Sequence, residues 1–245
     1  MVPEKKMNEF VDRMRKAAGE KLESIILYGS AANGEFHPDF SNVNLLCVFR
    51  ETSFATLSTV APVVEWWTRH KHPAPLLLTR EEIETSSDVF SIEFLDMQER
   101  HRALFGEDVL AHLNVPMQFH RAQLEYELRE KTILLRERVL LSGGNKKLLW
   151  ELLLGSVSAF STLFRHALIA LGHPVPTSKR ETMHVLAAAI QFDPSAFLQV
   201  LDIREKKIDR KQLDVMDVFS RYLAAVQQVT TAVDRMLDAS APRSS

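Results

Sequence analysis

With 245 residues, 46% of them apolar and 25% charged, the chain has the composition of a folded globular protein with room for one large domain or two small ones. A formal net charge of −2 excludes a bulk electrostatic pull toward nucleic acid or acidic membrane, and a single cysteine, Cys47, excludes an internal disulfide framework or a cysteine-rich zinc site. No continuous apolar run approaches the ~18 residues of a membrane span, and no apolar signal core follows the first residues, so a cytoplasmic location is expected.

Met7, Phe10, Val11, Met14 and Ala18 recur at helical spacing and predict a helix from Glu4 to about Ala18. Ser24–Tyr28 is a short apolar run stopped by Gly29 and reads as a strand. A polar loop with Asn33-Gly34 and His37-Pro38 follows. Asn42–Phe49 reads as a second strand, with Val43, Leu45 and Cys47 on one face and Asn42, Asn44, Leu46 and Val48 on the other. That position predicts a buried thiol for Cys47. Phe54–His70 predicts a helix that Pro62 starts or kinks, and Pro75–Thr79 and Val89–Met97 predict further strands.

From Met117 onward the pattern is helical. Gln118–Leu141 stops at Gly143-Gly144, and Lys146–Leu171 stops at Gly172 with Pro174 beyond it. Ser178 and Glu181 fit a capping box that opens a helix to about Gln191, and Asp193-Pro194 fits an N-cap with proline at the first helical position. Leu213–Leu237 predicts a last long helix. The expected fold is therefore α+β: a mixed sheet with flanking helices over residues 1–115, then an all-α antiparallel helical bundle over 116–238 and a short tail over 239–245, with the break around Pro116.

Gly29-Ser30 closes one strand, and the next strand opens with Asn42-Val43-Asn44. A glycine at a strand end lets the backbone approach a phosphate, and Ser30 adds a hydroxyl donor. Positions i and i+2 of a strand share a face, so two carboxylates there would sit side by side and hold Mg²⁺ between a triphosphate and an attacking hydroxyl. The run Leu27-Tyr28-Gly29-Ser30-Ala31-Ala32-Asn33-Gly34-Glu35, continued by Ser41-Asn42-Val43-Asn44-Leu45-Leu46, resembles the nucleotidyltransferase superfamily, which includes DNA polymerase beta and the aminoglycoside nucleotidyltransferases. Its motif is Gly-Ser, a loop of about ten residues, then Asp-apolar-Asp, with a third carboxylate from a later strand. The resemblance assigns nucleotide binding to Gly29 and Ser30, the carboxylate-pair positions to Asn42 and Asn44, and the third position to Glu93, with Asp96 second. Leu104-Phe105-Gly106-Glu107-Asp108-Val109-Leu110 resembles the Gly-x-Asp turn that closes the domain in bacterial members, and a following bundle is similar to the antibiotic-modifying branch.

The departure from the motif decides the expected function. Asparagine offers a neutral carbonyl oxygen where aspartate offers an anion, and Mg²⁺ gives up its water reluctantly and prefers charged oxygens. Asn42, Asn44 and Glu93 would carry one negative charge where the family carries three. Asn33 also stands where many family enzymes place Arg or Lys. Glu93 is then the one strong metal ligand, with Asn42 and Asn44 as weak ones, and Mg²⁺ is expected to bind weakly or not at all. The leading expectation is a catalytically impaired nucleotidyltransferase-fold protein that still binds ATP, another nucleoside triphosphate or a partner. One alternative is a working transferase that moves a nucleotidyl group onto a hydroxyl of a small molecule such as an aminoglycoside. Another is a non-enzymatic interaction protein acting through its bundle. A homodimer is compatible with all three.

Other residues carry weaker signals. His70 and His72 flank Lys71 at a helix end, fewer ligands than a structural metal site needs. Arg165 and His173 are spaced too widely for the Arg-x₄₋₆-His signature of helical ribonuclease toxins. Glu125, Glu127 and Glu151 fit a charged helix surface better than a catalytic base, and Arg204–Lys207 with Arg210-Lys211 fits a solvated loop. Of Trp66 and Trp67, helical facing buries one and leaves the other at a surface.

Overall fold

The computed structural model describes residues 3–32 and 42–240, with side chains described as far as residue 235. The chain divides into two units, Met1–Gln118 and Phe119–Ser245. The first contains α1 (Glu4–Ala18), β1 (Leu22–Tyr28), β2 (Asn44–Phe49), α2 (Phe54–Arg69), β3 (Leu76–Thr79), α3 (Arg80–Ser86), α4 (Ser91–Glu99) and β4 (His101–Gly106). The second contains α5 (His120–Leu141), α6 (Lys146–Ala170), α7 (Lys179–Ile190), α8 (Ser195–Arg204) and α9 (Val215–Ser240).

The sheet has the order β3-β2-β1-β4. β1 runs antiparallel to both neighbours, while β2 and β3 are parallel and joined through α2. Both sheet faces are covered, which is why β1 and β2 read as nearly continuous apolar runs. Ile25, Leu27, Val43, Leu45 and Cys47 pack with Met7, Phe10 and Met14 of α1 and Val60 and Trp67 of α2. Ile26, Leu46 and Val48 pack on the other side with Ile83 of α3, Phe94 and Met97 of α4, and Leu110. The face assignment expected for β2 is thus observed, and Cys47 is buried. Burial pushes its thiol far above the ordinary range. Ser53 caps α2 by accepting from the Thr56 N–H, and Pro62 lies inside the helix without ending it.

One expected strand is a helix. Val89–Met97 forms no strand; residues 91–99 are α4. A short apolar run satisfies either period, and here Phe94 and Met97, three apart, take the buried side. Glu93 therefore comes from a helix rather than from a strand. The strand that completes the sheet is β4, where the polar pair His101-Arg102 concealed it.

In the helical unit α6 packs against α5, α7, α8 and α9 and buries Trp150, Leu153, Val157, Phe160, Phe164 and Leu168. By length and composition α6 is apolar enough to cross a membrane, with a window of mean hydropathy 1.4, although no continuous run is. Its apolar content serves the core, where Phe197 of α8 stacks on Tyr222 of α9 with ring centroids 4.0 Å apart. Ser178 accepts from the Glu181 N–H to open α7. Asp193 accepts from the Ser195 N–H, so α8 begins one residue later than expected. Arg204 is not in a solvated loop: it is buried at the end of α8 and donates to Ser158 Oγ at 2.6 Å. Glu125, Glu127 and Glu151 form i,i+4 ion pairs with Arg129, Lys131 and Lys147, as a charged helix surface should. Arg165 is buried in α6, and His173 is exposed beyond its end.

Candidate functional site: the Gly29 turn

β1 ends at Tyr28, and Gly29–Ala31 make one 3₁₀ turn. Gly29 has φ +77°, the left-handed region that a glycine enters without penalty. The turn is held from below, because the Gly29 N–H donates to the Arg100 carbonyl at 2.8 Å and the Ala32 N–H donates to the Gly29 carbonyl at 2.9 Å. Ser30 is half-buried in this turn.

Strand register sets what surrounds it. Tyr28 pairs with Asn44 of β2 on one side and with His101 of β4 on the other. Directly paired residues share a sheet face, so Tyr28 and Asn44 both lie on the α4 side, below which Ile26, Leu46 and Phe94 pack. The Asn44 amide nitrogen lies 3.3 Å from the point where a Gly29 Cβ would stand. Asn42 precedes the strand and is exposed, while Val43 between the two asparagines is buried on the opposite face.

Glu93 is in the first turn of α4 and half-buried. It reaches Tyr28 electrostatically: burial first, then the Glu93 charge, raises the Tyr28 phenol above its usual range. Tyr28, Asn44 and Glu93 are thereby brought to one side of the sheet beside the Gly29 turn. Asp96, the second choice for the third carboxylate, is also half-buried on α4. Among the described residues, no group of three or more His, Cys, Asp or Glu side chains is placed to hold a metal ion. Asn33, Gly34, Glu35, His37, Pro38, Asp39 and Ser41 of the intervening loop lie outside the described residues.

Two residues of this corner carried no role in the sequence reading. Tyr28 was visible within the motif, and its face follows from counting on two from Ile26. His101 became assignable only once β4 was known to be a strand. Its Nδ1 faces the Gln98 carbonyl at 2.9 Å and its Nε2 faces the Asp108 carboxylate at 2.9 Å. Asp108 also accepts from the Leu110 N–H at 3.2 Å. The Gly106-Glu107-Asp108 segment thus clamps the start of β4, and with it Arg100, whose carbonyl holds Gly29.

His70 and His72 belong to a different part of the unit. The His72 ring stacks on buried Trp67 at 4.2 Å, and His70 bonds the Trp66 carbonyl. Burial, then Lys6 and His70, lowers the His72 pKa. Trp66 is half-buried beneath the Arg13 guanidinium, 4.4 Å from its ring centroid.

Residues 5–96 match the nucleotidyltransferase domain family. The match lies within the sheet-bearing unit, whose fold is nucleotidyltransferase-like. Among solved structures it is similar to spectinomycin adenyltransferase AAD(9) from Enterococcus faecialis, solved with ATP and spectinomycin. The identity is 12%, the match covers 94% of this chain and 99% of that one, and the TM-score is 0.57. At that identity the likeness describes the fold, and its coverage extends through the helical unit. A toxin–antitoxin structure with AMP-PNP matches 41% of this chain and 73% of that one at 14% identity, with a TM-score of 0.29, too low to bear on the fold. No curated protein matches the chain.

Proposed function

We propose that this chain is a nucleotidyltransferase-fold protein that holds a nucleoside triphosphate at the Gly29–Ser30 turn and has lost the metal-dependent transfer step. The observation that carries the proposal is Asn44, which sits beside Gly29 with its amide nitrogen toward the turn, at the position where the family resemblance puts a carboxylate. An amide nitrogen is a donor and suits a phosphate oxygen; it repels a cation. Mg²⁺ in nucleotide enzymes is held by one or two carboxylates together with the phosphates. Asn42 and Asn44 supply none, and the Glu93 carboxylate is the one anionic oxygen donor of the trio. The described residues of this corner do not fit Mg²⁺ as a resident ion. ATP is the first nucleotide to test, because the adenyltransferase of similar fold was solved with it.

The test is an ATP binding titration with and without Mg²⁺, run beside a transfer assay onto hydroxyl acceptors. Binding without turnover is the expected result. A second reading, a working transferase that uses Glu93, draws on the electrostatic reach of Glu93 to Tyr28. Mg²⁺-dependent transfer that disappears in Glu93→Ala would establish it in place of the first.

A further inference from the structure

α5 is apolar on two opposite faces. Leu124, Leu128 and Leu135 point into the helical unit and are buried. On the side away from them, Tyr126, Ile133 and Leu140 recur every seven residues and are 62%, 54% and 81% exposed. Leu141 is also largely exposed beside them. A surface helix normally keeps one apolar stripe for the core and polar residues on its outer face. A second stripe running about 21 Å, at 1.5 Å per residue from Tyr126 to Leu140, is the pattern of a helix with a partner.

The charges beside the stripe say which partner. At 100° per residue, Arg129 and Arg136 fall on one flank of the Tyr126–Ile133–Leu140 line, and Glu130 and Glu137 fall on the other. Arg129 is tied to Glu125 and Asp234, whereas Arg136 and Glu137 have no ion-pair partner among the described residues. Such a face complements itself in one arrangement. A twofold axis parallel to the helix brings the arginine flank of one copy onto the glutamate flank of the other, with Arg129 beside Glu130 and Arg136 beside Glu137. A twofold perpendicular to the helix, which makes the pair antiparallel, sets arginine against arginine and glutamate against glutamate. We infer that the outer face of α5 is a self-association surface that pairs parallel and in register with α5 of a second copy, as an isologous interface. A groove of about 300 Å³ between α5 and α9, lined by Ile133, Arg136 and Thr230, lies along the arginine flank and leaves room for the partner's glutamate side chains.

The full chain should sediment as a concentration-dependent dimer. Ile133→Asp should abolish the dimer and leave the circular dichroism and melting temperature of the monomer unchanged, since Ile133 is exposed. Arg136→Glu should weaken association about tenfold, and adding Glu137→Arg to it should restore association. Cross-linking reads the register. Tyr126→Cys, Ile133→Cys and Leu140→Cys should each form a disulfide with its own copy under mild oxidation, and buried Cys47 should stay silent. A chain that remains monomeric at high micromolar concentration overturns the inference, as does a dimer untouched by Ile133→Asp. Stronger association in Arg136→Glu, with self-cross-linking at only one of the three positions, overturns the parallel pairing.

Discussion

The two ends of β1 are both closed by a glycine in the left-handed region, at φ +77° for Gly29 and +74° for Gly106, yet for different physical reasons. A Cβ on Gly106 would stand 1.9 Å from the Glu23 carbonyl oxygen, a backbone atom of β1 that cannot yield. A Cβ on Gly29 would meet the Asn44 amide at 3.3 Å, the end of a side chain that can turn away. At the Gly106 end Ser24 Oγ donates to the Glu107 carbonyl at 2.7 Å, and Arg80 pairs with Glu107. At the Gly29 end the polar side chains of Tyr28, Asn44 and Glu93 gather round a turn whose own N–H is held from beneath. One end is a lock and the other a receptive corner, and the residue type alone does not distinguish them.

Gly106→Ala should have the largest effect. Positive φ and a backbone collision act together, and the loss should be about 3 kcal/mol or more, read from urea unfolding. A loss below about 1 kcal/mol would put the two ends on an equal footing. Next in size is the joint change of Asn42 and Asn44 to aspartate. The two new carboxylates repel without metal, and Mg²⁺ or Mn²⁺ at about 100 times Kd should restore about 2–3 kcal/mol in a thermal melt. The parent should respond far less. Equal responses would remove Asn42 and Asn44 from any metal position. Gly29→Ala should cost about 1–2 kcal/mol, less than Gly106→Ala, and should weaken ATP binding as well, because the turn and Asn44 must shift together. Unchanged ATP affinity in that variant would show that the receptive corner is not the nucleotide site.

The smallest effect is a titration. Tyr28 and Tyr222 hold their protons more tightly in the fold than in the unfolded chain, Tyr28 through burial and Glu93, and Tyr222 through burial in the helical core. Stability from both is complete below the ordinary phenol pKa and is lost as the pH climbs through the raised values. Glu93→Gln removes one cause at Tyr28 and none at Tyr222, so the phenolate absorbance curve should move to lower pH for one tyrosine only. A curve that does not move would separate Glu93 from Tyr28.

Much of this was legible in the sequence. The alternation of Val43, Leu45 and Cys47 against Leu46 and Val48 gave the faces of β2, because a sheet covered on both sides keeps period two even when every residue is apolar. Gly29-Ser30 and the asparagine pair located the corner from the resemblance. What escaped were elements whose local signal is ambiguous. Val89–Met97 has too few residues for its period to distinguish strand from helix, so Glu93 was placed on the wrong kind of element. β4 carries His101 and Arg102 where an apolar residue would have announced a strand, and its membership depends on pairing with β1, a non-local fact. Arg204 looked solvated because its neighbours Glu205, Lys206 and Lys207 are, and only the packing of α8 on α6 shows that its guanidinium is buried against Ser158.

α6 carries enough apolar surface to cross a bilayer, and three of the four helices that cover it, α7, α8 and α9, follow it in the chain. A ribosome therefore releases the greasiest segment of the protein before most of its shelter exists. During that interval α6 is a substrate for holdase chaperones and for aggregation, and the helical unit closes only after α9 has emerged. Synthesis that pauses between α6 and α9 should lower the soluble yield, and pauses placed within the sheet unit should not.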